Sequence, residues 1–97
     1  MSMISFRVRR TYYDQIVAGT KTEELRKDSE FWRKRLLETS KPPTVAVFVC
    51  GKAVHRREIT GRRRDDPEKV LGRPLSEQGK QDIPTAKCIV VELGAEV

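Results

Sequence analysis

The sequence predicts an α+β domain: a small, mixed, mostly antiparallel β-barrel of about five strands, with two or three short helices against its ends. Three observations lead there. The 97 residues suit one domain, residues 1–97, with a small core. Five runs have strand character, while the clear helical stretches are too short to stand without packing. Along the chain the order reads β-α-β-α-β-β, then a long connection, then β.

Ile4 to Val8 alternates apolar and polar residues, the signature of a half-buried strand. Ile4, Phe6 and Val8 face inward, Arg7 and Arg9 face solvent or a ligand, and Arg10 stands at the strand end. Thr11 then has the character of an N-cap, with Asp14 three residues on as a short version of the capping-box carboxylate. Tyr12, Tyr13, Ile16 and Val17 follow helical spacing, and Gly19 supplies the left-handed residue that closes the helix. Tyr12 and Tyr13 are either core-edge residues or stacking platforms.

The next strand, Thr22 to Lys27, carries the candidate site. Lys21, Glu24 and Arg26 fall within six positions. Pleating puts Glu24 and Arg26 on one face and Leu25 on the other, so Lys21 joins the charged pair only from the turn after Gly19. One reading is a cluster at the mouth of the barrel, suited to an anion or a polar base. The other is a solvated strand whose Glu and Arg pair on the surface and contribute little.

Asp28 and Ser29 are candidate caps for a helix from Glu30 to Glu38. In it the only tryptophan, Trp32, sits beside Arg33, Lys34 and Arg35. Aromatic rings interleaved with arginines suit single-stranded nucleic acid, through stacking and phosphate contacts. They equally suit a helix anchored by Trp32 with a solvated basic face. Pro42-Pro43 ends the helix. Thr44 to Cys50 is an unbroken β-branched apolar run, expected to be a central strand covered on both faces.

After the Gly51-Lys52 turn, Val54 to Thr60 is a strand holding the only histidine, His55, expected at the surface or in a hydrogen bond. Gly61 to Ala86 is polar, with Arg62-Arg63-Arg64 near its start. Asp66-Pro67 marks a short helix over Glu68 to Leu71. A connection this long is expected to be a lid or partly disordered, and its arginines either a phosphate-contacting loop or a solvated tip. Lys87 to Leu93 is a last buried strand, with Gly94 to Val97 as a tail.

Charged residues make up 35% of the chain, the formal net charge is +6 and the isoelectric point is near 9.7. That excess favours a polyanionic or nucleotide-like partner. Cys50 and Cys88 lie in apolar runs and read as buried thiols in a reducing compartment. One histidine and two isolated cysteines form no ligand pattern, so no metal or cofactor is expected. No apolar run nears the ~20 residues of a membrane span. The N-terminus has no signal-peptide pattern, and the expected location is cytoplasmic.

The stretch Gly19-x-Lys21-x-x-Glu24-x-Arg26 resembles the G-x-K-x-x-E-x-R motif of ASCH domains, which have a PUA-like β-barrel fold. Tyr13-Asp14-Gln15-Ile16-Val17-Ala18 resembles the short helix before that motif. Phe31-Trp32-x-x-Arg35-Leu36 is similar to an aromatic-Trp-x-x-Arg-Leu stretch in some members. The likeness covers about the first forty residues. It implies a cleft lined by Lys21, Glu24 and Arg26 that binds RNA or a nucleotide. In such a site Lys21 and Arg26 would hold phosphate, Glu24 would accept from a base edge or orient Arg26, and Tyr12, Tyr13 or Trp32 would stack. Arg10, Arg33 and Arg35 complete the candidate RNA-binding set.

Two enzymatic branches of the family imply an alternative, a small hydrolase of modified nucleosides or of RNA. The N4-acetylcytidine amidohydrolases use a Lys-x-x-Thr pair. Here Glu24 occupies the threonine position, and Thr22 is two residues away. Lys21 and Glu24 are then the catalytic candidates, with Glu24 activating water and Lys21 or Arg26 stabilising an oxyanion. For ribonuclease-like chemistry His55 would be the acid if it reached the cleft.

Overall fold

A computed structural model describes residues 2–97. The elements are β1 (Met3–Arg7), α1 (Arg10–Ala18), β2 (Glu23–Lys27), α2 (Glu30–Leu36), β3 (Val45–Cys50), β4 (Ala53–Asp65), α3 (Pro67–Leu71), α4 (Glu77–Asp82) and β5 (Cys88–Glu96). The strands form one sheet in the order β1-β3-β4-β5-β2, with β1 and β3 parallel and the other neighbours antiparallel. The sheet curls into a half barrel, so that the two edge strands, β1 and β2, face each other across an open seam. Arg26 of β2 spans that seam to the carbonyl oxygen of Arg7 in β1 at 2.9 Å.

The main core lies on the concave side. Phe6, Ile16, Leu36, Phe48, Ile89 and Val91 are fully buried there, under α1 and α2. Phe6 stacks between Phe48 at 5.7 Å and Trp32 at 5.3 Å. Removing a side chain so enclosed costs about 3–5 kcal/mol, because the cavity left behind cannot collapse. A second cluster covers the other face, where Ile83, Cys88 and Val90 pack with Leu25 and Val70. The strand sandwiched between both cores is therefore β5, whose Cys88 to Val91 are all fully buried. This corrects the expectation for β3. It lies next to the edge strand, Ala46 and Phe48 point into the main core, and Val47 and Val49 remain half-exposed.

Other expectations are corrected in physical detail. The N-cap of α1 is Arg9, not Thr11, and no side chain caps it; Asp14 pairs with Arg10 one turn away at 3.2 Å. β4 does not stop at Thr60 but runs through the triple arginine to Asp65, with two register shifts between Arg57 and Gly61. Such irregularities let one long strand follow a curled sheet. Its arginines are strand residues rather than a loop tip, and Arg63 and Arg64 are ion-paired. Arg63 reaches Glu23 at 3.1 Å, Asp65 at 3.2 Å and Glu92 at 2.9 Å, so one guanidinium ties β2, β4 and β5 together.

The connection after β4 is shorter than expected and is organised by α3 and by the unforeseen α4. Asp66 caps α3, with Pro67 at its first position, and Ser76 caps α4 by accepting from the Gly79 amide. β5 continues through Gly94 to Glu96, where a tail was expected. Cys50 is half-buried and Cys88 fully buried. Among the described residues no helix is long and apolar enough to cross a membrane.

Candidate nucleic-acid interface

The seam between β1 and β2 opens into a cleft of about 430 Å³. Arg7, Val8 and Arg9 form one wall, Glu24 to Lys27 the other, with Tyr12, Trp32 and Asp82 closing the set. Four cations and two carboxylates line it, so a desolvating ligand meets a net positive field.

Local sequence places the central cluster. Gly19 ends α1 at φ 80°, which turns the chain back on itself. The Thr20 and Lys21 amides then both donate to the Gln15 carbonyl, at 3.0 and 3.1 Å. This tight return brings Lys21 against Glu24, where strand alternation alone would not put it. Lys21 itself, expected to line the cleft, is not among the residues that do. Lys21 Nζ donates to the Glu23 carbonyl at 2.8 Å, lies 3.4 Å from Glu24 Oε1 and sits 5.4 Å over the Tyr12 ring.

On β2, Leu25 turns to the second core while Glu24 and Arg26 turn to the cleft. Glu24 is only 5% exposed. Its two oxygens are divided between cations: Oε1 faces Lys21, and Oε2 accepts from Arg26 Nη2 at 2.7 Å. A carboxylate this buried needs both partners to offset its desolvation. The Arg26 guanidinium is itself held over the rings of Phe6 at 4.9 Å and Trp32 at 5.2 Å. Charge, hydrogen bonds and ring faces fix one rotamer.

At the rim, Arg9 makes a two-point contact with Asp82, at 2.7 and 3.2 Å. Asp82 comes from the end of α4, so the connection between β4 and β5 reaches over the cleft. The Arg9 hydrogen bond holds the Asp82 carboxyl below its ordinary range, against a smaller opposing effect of burial.

The remaining candidates are dispersed. Tyr12 and Trp32 line the cleft. Tyr13 does not; it is 9% exposed in the main core, edge-on to His55. Arg10 is an exposed partner of Asp14. Arg33 folds back on Asp28 at 3.3 Å and Glu38 at 3.5 Å. Arg35 leaves the cleft and stacks on Phe31, 3.6 Å from the ring centre. His55, expected at the surface or in a hydrogen bond, is 7% exposed on β4, with Nδ1 3.7 Å from Glu96 Oε2 and no side-chain hydrogen bond among the described residues. It lines neither the cleft nor the groove beside α2. Thr22 is exposed and is not among the cleft residues.

Arg7, Arg9, Lys27 and Asp82 were absent from the candidate set. The alternation of β1 already pointed Arg7 and Arg9 outward. Asp82 carries no local signal, because its position depends on how α4 docks. No group of three or more His, Cys, Asp or Glu able to hold a metal ion occurs among the described residues.

A five-stranded mixed sheet, curled around one main core and open at a seam between its first two strands, is the PUA-like fold of ASCH domains. Among solved structures the chain is similar to a serine-to-alanine mutant of ZmASCH from Zymomonas mobilis. The TM-score is 0.66 at 15% identity, over 97% of this chain and 68% of that one. No protein-family model and no curated protein matches the sequence. At this identity the likeness establishes the fold, and the chemistry rests on the residues themselves.

Proposed function

We propose that this protein is an RNA- or nucleotide-binding module of ASCH type, and that the cleft at the open seam holds the ligand. One observation carries the reading: Glu24 is buried with each oxygen committed to a different cation, at the base of a net-positive, half-open cleft. A carboxylate used up in this way is an orienting group. It presents Lys21 and Arg26 in fixed positions toward a phosphate. Trp32 and Tyr12 supply faces for a base, while Arg7, Arg9 and Lys27 neutralise backbone phosphate. The resemblance of Gly19 to Arg26 to the ASCH motif and the shared fold support the assignment.

The alternative is a hydrolase of N4-acetylcytidine or of RNA that uses Lys21 and Glu24. The same observation favours binding over it, since a general base needs a free lone pair aimed at water, and both Glu24 oxygens already face cations.

The test is to mix the protein with labelled single-stranded RNA and, separately, with N4-acetylcytidine, reading bound fraction and product. Binding that weakens steeply with salt, falls at least tenfold in Arg26→Ala and Glu24→Gln, and yields no product is expected. Turnover that disappears in Glu24→Gln would replace this reading with the hydrolase. Binding indifferent to both variants would remove the cleft from the function.

A further inference from the structure

Beside the cleft lies a second groove, about 470 Å³, between the N-terminal half of β1 and α2. Its lining includes Ser5, Phe31, Trp32, Arg35, Thr39 and Lys41. Trp32 belongs to both hollows, so a single indole separates them and one surface runs continuously from seam to groove. From Val8 in the cleft, just past the end of β1, to Ile4 in the groove, the extended chain spans about 13 Å.

The groove has an unusual composition for a solvated helix face. Phe31 is 53% exposed, the end of an aromatic ladder that passes through Trp32, edge-on at 4.9 Å, to the fully buried Phe6. Burial anchors this ladder at one end and leaves it bare at the other. The Arg35 guanidinium sits over the Phe31 ring, tied to the Phe31 carbonyl at 2.9 Å. Among the described residues neither Arg35 nor Lys41 has a carboxylate partner, whereas Arg33 and, on β4, Arg63 and Arg64 are neutralised. An exposed ring, a guanidinium plane and unpaired cations on a path of this length match the needs of a single strand: stacking faces and phosphate contacts in alternation. Ser5 and Thr39 add hydroxyls beside the unpaired edge of β1, suited to a 2′-hydroxyl.

Resting on the cleft reading above, we infer that the groove is a second subsite. It takes the nucleotides flanking the one held in the cleft, so the ligand is a stretch of single-stranded RNA rather than a free nucleotide. At the ~3.4 Å spacing of stacked bases, the ~13 Å from Val8 to Ile4 corresponds to about four nucleotides, and fewer in an extended strand.

The experiment compares a labelled mixed-sequence hexaribonucleotide, the hexadeoxyribonucleotide of the same composition, and the four nucleoside 5′-monophosphates. The proteins are the wild type, Phe31→Ala with Arg35→Ala, Phe31→Tyr, and Arg26→Ala. Phe31 and Arg35 are exposed, and circular dichroism checks that the variants fold. The double variant is expected to lose roughly tenfold in hexaribonucleotide affinity. Its affinity for the monophosphates should not change, and Phe31→Tyr should retain the wild-type value. Unchanged hexaribonucleotide binding in the double variant would overturn the second subsite and leave the cleft reading intact. Equal loss for the monophosphates would also overturn it, since the two hollows would then not be separate subsites. A deoxy strand bound as tightly would overturn the assignment to RNA. Loss in the double variant with none in Arg26→Ala would keep the groove and remove the cleft. No binding of any strand to the wild type would overturn both.

Discussion

Arg26, on one edge strand of the half barrel, donates to the main-chain carbonyl of Arg7 on the other edge strand at 2.9 Å. A sheet that closed fully would satisfy that carbonyl with a backbone amide. Here a side chain does it, and the space left between the strands becomes the cleft. The same nitrogen holds Glu24. Site and seam are thus maintained by one guanidinium.

Arg26→Ala is therefore expected to affect stability as well as binding. It leaves Glu24 buried with Lys21 as its only cationic partner and frees the Arg7 carbonyl. Losing a hydrogen bond to a charged group in such a place costs about 2 kcal/mol. Urea denaturation checks this, with a lowered midpoint expected. Arg26→Lys should recover part of the stability but little of the binding, because an ammonium cannot reach Glu24 and Arg7 while covering the rings of Phe6 and Trp32.

Gly19→Ala tests how Lys21 reaches the site. The residue sits at φ 80°, a conformation costing about 1 kcal/mol for a side chain with a Cβ. The nearest atom to the added carbon would be Arg57 Nη2 at 3.9 Å, so the penalty is conformational rather than a clash. A small fall in melting temperature is expected, with a larger proportional fall in ligand affinity as the turn relaxes and Lys21 moves off Glu24.

The rim contact is expected to depend on acid. The folded-state pKa of Asp82 is lowered, first by the Arg9 hydrogen bond. Its contribution is therefore present above the ordinary aspartate value near ~3.9 and is lost as pH falls through the lowered folded value. Hydrogen exchange should show the amides of α4 opening at low pH, and at neutral pH in Asp82→Asn. Both partners are well exposed, so global stability should change little. The variant also removes a negative charge from the cleft, and RNA affinity should rise roughly two- to fivefold at low salt.

The two thiols should differ in reactivity. Burial pushes the Cys88 thiol up to about 11, and the side chain is fully enclosed between β4 and the second core. Cys50, half-buried at the end of β3, is open to reagents. A disulfide reagent at pH 8 should label one equivalent in the native protein and the second only after unfolding. Labelling of both at equal rates would contradict the packing of β5.

Much of this architecture was legible from local rules. Alternation located β1 and β2, Gly19 marked the end of α1, and Asp66-Pro67 marked the start of α3, because each feature depends on residues only a few positions apart. The placement of Glu24 and Arg26 on one face with Leu25 opposite follows from pleating alone. The reading failed where partners are distant. The triple arginine looked like a loop because a strand rich in charge gains its stability from Glu23, Asp28 and Glu92, which lie far away in the chain. Tyr13 looked like a candidate for the cleft and His55 like a surface or hydrogen-bonded residue, yet both are buried, their rings edge to face.

The sequence by itself determined the charged cluster, its spacing and the turn that delivers Lys21, since these are set by backbone geometry over eight residues. Only the tertiary structure decided that β1 and β2 stop short of pairing and that Asp82 sits at the rim. It alone also decided that Trp32 stands between two hollows. Those facts depend on how far the sheet curls and how α2 and α4 dock, which is the joint outcome of packing across the whole core rather than of any local run of residues.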